Sequence, residues 1–193
     1  IVFKRIAKRG IESIKDELLI MSAFRQFDNR LLAKIAHYFW PDEHKNESRK
    51  SGLELARQLQ ETTLLQLHPD GYGYVIEPDI RRILDSYEQI SEKNKHFEAH
   101  CLAYQWFKSE VEKGDTVSLA NQIYHLLALW HDRNLDISLF IPLDIPDGSL
   151  RKEQLVATIE VGLKNLEGNS RAETIIGKII QVFSEKEFLW FFE

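Results

Sequence analysis

The chain has 193 residues and a net charge of −5, with 25 Lys and Arg against 30 Asp and Glu. A hydrophobic share of 44%, with 4 Trp, 6 Tyr and 11 Phe, is enough to fill a sizeable core and excludes general disorder. A surface of that sign does not attract DNA or anionic lipid overall, and only 9 Gly and 5 Pro interrupt long helix-compatible runs, so the expected class is mainly α.

The single cysteine, Cys101, excludes an internal disulfide and a multi-thiolate zinc site. The sequence carries no signal peptide and no apolar run near the ~18 residues that spanning a bilayer takes. A cytoplasmic location with no membrane partner is therefore expected. The chain opens on Ile1 rather than Met and closes on Phe188-Leu189-Trp190-Phe191-Phe192-Glu193. So apolar an end is costly in water unless it packs on something, which predicts a segment of a longer protein.

Residues 1–9 are basic, with Lys4, Arg5, Lys8 and Arg9 and no acid. Ile11, Ile14, Leu18, Met21 and Phe24 then recur at helical steps. Asp28 is an N-cap candidate for a second helix with Leu31, Ile35 and Phe39 on one face, and Pro41 stops it. Residues 42–50 read as a polar loop. Ser51 and Glu54 have capping-box spacing ahead of a short third helix carrying Leu53, Ala56 and Leu59.

The period then changes. Leu65 and Leu67 alternate with Gln66 and His68, Pro69-Asp70-Gly71-Tyr72-Gly73 supplies turn chemistry, and Tyr74-Val75-Ile76 is β-prone. This predicts a hairpin. Pro78 suits the first turn of another helix, where its missing N–H is not needed, and Ile80, Ile83, Leu84, Tyr87 and Ile90 are expected to line its inner face. Three helices, a hairpin and a closing helix describe a winged-helix domain over residues 1–90.

Residues 91–193 read as a helical, tetratricopeptide-like array. Phe97, Cys101, Tyr104 and Val111 share a stripe, and Ala103 and Phe107 form a small–large packing pair. Gly114-Asp115 breaks the pattern before Leu119, Ile123, Leu126 and Trp130. Residues 131–148, with Pro142, Pro146 and Gly148, are the candidate linker. Leu155, Ile159, Leu163 and Leu166 mark a helix ended by Gly168-Asn169. Ser170 and Glu173 cap a last one, expected to turn Ile176, Ile179 and Phe183 inward. No steady 34-residue period runs through this half.

Catalytic chemistry is hard to place. No phosphate-cradling Gly-x-x-x-x-Gly-Lys-Ser/Thr occurs, so nucleotide hydrolysis would need residues outside the chain. His96 and His100 stand i, i+4 and could share a metal, but a zincin carries Glu directly after the first His, where this chain has Phe97. The expected reading is a pair of exposed or core-edge histidines, with Cys101 as a buried, inert thiol.

A winged helix raises the question of DNA, since its third helix can enter the major groove. The charges oppose it. Residues 42–88 hold six Lys and Arg against ten Asp and Glu. The third helix has Glu54 and Glu61 against Arg57, and the wing has Asp70 and no cation. A phosphate-binding face needs several net cations; nucleic acid is not the expected partner.

Met21-Ser22-Ala23-Phe24-Arg25-Gln26-Phe27-Asp28-Asn29-Arg30-Leu31-Leu32 resembles the opening of the winged-helix domain that follows the nucleotide-binding core in STAND ATPases, relatives of NB-ARC and NACHT proteins. Leu64–Ile76 resembles that family's hairpin, Pro78–Leu84 the helix after it, and His96–Lys113 with Ala120–Leu129 the first helices of the arm behind. The resemblance covers about residues 11–130. It implies a non-catalytic regulatory segment coupling a nucleotide-binding core to a sensor or effector in signalling or bacterial defence. Its partners would be those domains of the same protein and further copies in an oligomer. ATP and ADP belong to the parent protein, and no cofactor is expected in this chain. In the family a His followed by Asp ends the second wing strand and touches the ADP phosphate. The matching positions here are Glu77 and Pro78, with Asp79 next. A carboxylate cannot donate to a phosphate and repels it, so Arg81 or Arg82 would have to take that contact; the alternative is two solvated surface arginines. The competing reading is a winged-helix transcription regulator with a helical dimerisation or ligand-binding domain.

Overall fold

A computed structural model describes residues 15–40, 52–61, 64–68, 73–131 and 170–185, with positions 160, 161, 164, 166 and 168. The basic start, the polar loop 42–50, Ser51 of the capping box, the Pro69–Tyr72 turn and the apolar C-terminus lie outside the described residues. So does the candidate linker 131–148 beyond His131. The protein is mainly helical with one small antiparallel sheet. It divides into two compact units, residues 1–99 and 100–193.

In the first unit, α1 (Lys15–Ser22) starts with Asp16 and Glu17, whose charges suit the positive end of the helix dipole. Leu18, Leu19, Ile20 and Met21 are all buried; a helix apolar on every side belongs inside a core. It ends where Ser22 Oγ turns back to donate to the Leu19 carbonyl, 2.6 Å. Asp28 caps α2 (Asn29–Phe39) as expected, its Oδ1 accepting from Leu31 N–H at 2.7 Å. Leu31, Leu32 and Ile35 face the core and Phe39 lies at its edge.

The third helix, α3 (Gly52–Glu61), packs on α2 and buries Leu59. Strand β1 (Leu65–Leu67) pairs antiparallel with β2 (Tyr74–Ile76), Leu65 opposite Ile76 and Leu67 opposite Tyr74. Phe27 adds a bridge to Tyr74, with backbone bonds of 3.1 and 2.7 Å, which ties the α1–α2 turn to the hairpin. Leu65 is buried, but Leu67 is 68% exposed. The expected alternation therefore fails at its outer end, where a three-residue strand runs past the core.

Helix α4 (Pro78–Ser91) carries the largest correction. Its buried positions are Arg81, Leu84 and Glu88, spaced i, i+3, i+7. Of the expected stripe only Leu84 is buried; Ile80 is half-buried, while Ile83, Tyr87 and Ile90 are 47%, 41% and 77% exposed. The helix is turned so that an adjoining stripe, two-thirds of it charged, packs against α1.

The division between units falls inside α5 (Lys93–Glu112), after the residue-90 boundary read from the sequence. In the second unit, α6 (Leu119–His131) follows a short 3₁₀ turn at Thr116–Ser118 and packs on α7 (Ala172–Glu185). Ile123, Tyr124, Leu127, Ile175, Ile179 and Val182 form the centre of the shared core. In α7 the buried stripe is Ile175, Ile179, Val182, not one through Ile176, which is exposed. Residues 175–182 are apolar along two adjoining stripes, so periodicity alone cannot choose between them. Ala103 and Phe107 are both buried, as a packing pair should be.

Candidate functional site

The start of α4 gathers the four positions singled out for a phosphate. Glu77 is the N-cap: its Oε2 accepts from Ile80 N–H at 2.9 Å and its Oε1 from Asp79 N–H at 3.4 Å. The free N–H groups of a helix start are what bind anions, and here a carboxylate already takes two of them. Asp79 is exposed and paired with Arg82. Arg81 is buried, against the expectation of a solvated arginine, whereas Arg82 is exposed as expected. A phosphate approaching this end would meet Glu77 and Asp79 first, with Arg82 already neutralised by Asp79.

The two histidines at helical spacing are engaged by different partners. His96 Nε2 donates to Asp85 Oδ1 at 2.9 Å, within the first unit. His100 Nδ1 lies 2.8 Å from His125 Nδ1, within the second. Two Nδ1 atoms at that distance need one N–H donor and one bare acceptor, so the neutral rings must hold opposite tautomers there. Both rings are fully buried, and His125 stacks on Phe107 with centroids 5.6 Å apart. The expectation of exposed or core-edge histidines is thus corrected: His96 and His100 are interior groups. Each pair engages one nitrogen of each ring it involves, while His96 Nδ1 and His125 Nε2 are buried without a hydrogen bond. Cys101 is buried and forms no disulfide.

A third feature has no local signal in the sequence. Glu88 is 2% exposed, and its Oε2 has no hydrogen-bond partner. It lines a cavity of about 360 Å³ in the first unit. Leu19 and Ile20 of α1 form one wall, and Phe39 and Trp40 from the end of α2 another. Tyr87, Ser91 and Glu92 continue the α4 side, with Lys15, Asp16 and Lys95 nearby in the lining. Burial pushes the Glu88 carboxyl up from the ordinary 4.5 to about 7; His96 and Lys95 pull it down, while Glu92 and Asp16 push it further up. A carboxyl poised near neutrality can exist at physiological pH as either acid or anion.

Among the described residues, no helix is long and apolar enough to cross a membrane. No family model matches the chain, and no curated protein or solved structure matches it either.

Proposed function

We propose that this chain is a non-catalytic regulatory segment of a STAND-type signal-transducing ATPase. Residues 1–90 would form its winged helix and residues 91–193, with α5, α6 and α7, the start of a tetratricopeptide-like arm. The order of helices, hairpin and closing helix supports this reading, beside the resemblance at Met21–Leu32, Leu64–Ile76 and Pro78–Leu84.

The observation that carries it is the outward stripe of α4, where Ile83, Tyr87 and Ile90 stand exposed at one side. A row of apolar side chains held in water gains free energy when another surface covers it. The cationic residues that a duplex would require are missing from the hairpin and outnumbered by acids along residues 42–88. The nucleotide-binding core of the parent protein would cover the stripe in one state and leave it in another. Its ATP or ADP would bias a rigid-body rotation between a closed and an oligomeric form. Sensor domains would lie beyond the arm, and the setting would be cytoplasmic. No cofactor is assigned to this chain itself.

Two results test the reading. The reading frame encoding this chain should carry a Gly-x-x-x-x-Gly-Lys-Ser/Thr loop upstream of Ile1; a frame without one overturns the proposal. Mixed duplex DNA at low salt should run unretarded with the chain. Tight retardation that weakens steeply with added salt would instead identify a transcription regulator.

A further inference from the structure

We propose that the cavity bounded by α1, the end of α2 and α4 binds a small organic ammonium ion with an apolar body, its charge seated on Glu88. This does not depend on the regulatory reading above. At about 360 Å³ the space is of the size that encloses a small molecule.

The lining selects the class of ligand. Glu88 is the buried polar group of the site, and its Oε2 accepts no hydrogen bond. A neutral apolar guest would leave that oxygen unmatched, and an anion would be repelled by it. A bare divalent cation wants several oxygen ligands at once, whereas an ammonium is satisfied by a carboxylate and an aromatic surround. Phe39, Trp40 and Tyr87 supply that surround, and aromatic faces attract organic cations beside them. Leu19 and Ile20 are buried and would take the hydrocarbon part. The terminal torsion of a glutamate is soft, so a small rotation of Glu88 turns its carboxylate to the guest.

The protein's own ammonium groups do not fill this role. Lys95 Nζ lies 3.8 Å from Glu92 Oε2 with its side chain about half exposed, and Lys15 is also exposed. The groups that act on Glu88 are Asp16 from α1, Glu92 from the end of α4, and Lys95 and His96 from α5. His96 acts on Glu88 by charge only: its Nε2 donates to Asp85 and its Nδ1 makes no hydrogen bond.

Binding an ammonium requires the anion, so the site should take up its ligand with loss of a proton. With a carboxyl near 7 in the free protein, the ionised fraction falls from about nine-tenths near pH 8 to about one-tenth near pH 6. Titration calorimetry of the full chain with phenethylamine should therefore show affinity about tenfold weaker near pH 6 than near pH 8. Near pH 7 about half a proton should leave per amine bound, seen as different heats in buffers of different ionisation enthalpy. The neutral analogue 2-phenylethanol should bind at least about tenfold more weakly than the amine near pH 8. The variant Glu88→Gln should lose both the amine preference and the pH dependence while keeping its far-ultraviolet circular dichroism. Equal affinity for amine and alcohol, an unchanged amine profile in Glu88→Gln, or no heat of binding at millimolar amine would each overturn the proposal. If the variant does not fold, amine binding by the wild-type chain without proton release overturns it on its own.

Discussion

Replacing Glu88 by Gln removes an ionisable group from the interior while nearly keeping its shape, and its effect on stability has a sign fixed by linkage. In the folded chain burial holds the Glu88 carboxyl near 7; in the unfolded chain it returns to about 4.5. Between those values the folded state keeps a proton that the unfolded chain has released. Stability contributed by this group is complete below about pH 4.5 and declines as the pH rises to about 7. Each pH unit is worth about 1.4 kcal/mol, so the wild type loses about 3 kcal/mol in all. About 2.5 kcal/mol of that falls between pH 5 and pH 8.

The glutamine variant has no such proton to lose. Its amide brings a constant cost or gain from hydrogen bonding, of about 1–2 kcal/mol, but that offset does not change with pH. Urea unfolding of both proteins across pH 5 to 8, followed by circular dichroism, isolates the titration as the slope of the stability difference. The variant should gain on the wild type by about 2.5 kcal/mol over that range. A difference that stays flat would mean that Glu88 ionises as it would in water. The cavity would then contain a solvated carboxylate and not a buried one.

Two further substitutions probe the frame around the sites. Gly73 has φ +79°, and a Cβ there would come 2.5 Å from the Phe27 carbonyl oxygen, which accepts from Tyr74 N–H. Gly73→Ala should therefore cost about 2 kcal/mol or more and lower the melting temperature; a neutral alanine would mean that the hairpin does not close on the α1–α2 turn. Replacing His125 by Phe preserves an aromatic against Phe107 but takes away the hydrogen bond that His100 Nδ1 shares. A loss of about 1–3 kcal/mol is expected in urea unfolding. The double replacement of both rings should cost less than the sum of the singles, and additive costs would refute the pairing.

What the sequence discloses of this protein follows from what local chemistry can encode. The cap at Asp28, the stop near Trp40, the hairpin and the proline start of α4 are each specified within a few residues, and each is found. Which face of a helix turns inward is decided by its neighbours. In α4 the rule that the most apolar face is buried selects Ile80, Ile83, Leu84, Tyr87 and Ile90, of which only Leu84 is buried. The stripe that packs on α1 keeps Leu84 but adds Arg81 and Glu88. The same difficulty returns in α7, where Ile175 and Ile176 are equally apolar and one of them is exposed. Glu88 carried no local signal, since it stands among Tyr87, Gln89 and Glu92 as any solvated glutamate would. His125 was hidden likewise between Tyr124 and Leu126, its partner being His100 on a different helix.

The two faces of α4 belong to one argument. A rotation of about 100°, one residue on the helix, would bury part of the apolar stripe and return Glu88 to water. Hydrophobic burial and charge solvation both favour that rotation. The helix is held against it at its start, where Glu77 alone separates β2 from Pro78 and caps the helix, and at its middle, where Leu84 is locked into the core. The orientation is therefore imposed by the fold around α4. It places an apolar stripe where another protein surface can cover it and a carboxylate where a cationic guest can neutralise it. Covering the first contributes association energy, and neutralising the second recovers part of the desolvation cost of burying Glu88. Both features stand on a single fourteen-residue helix.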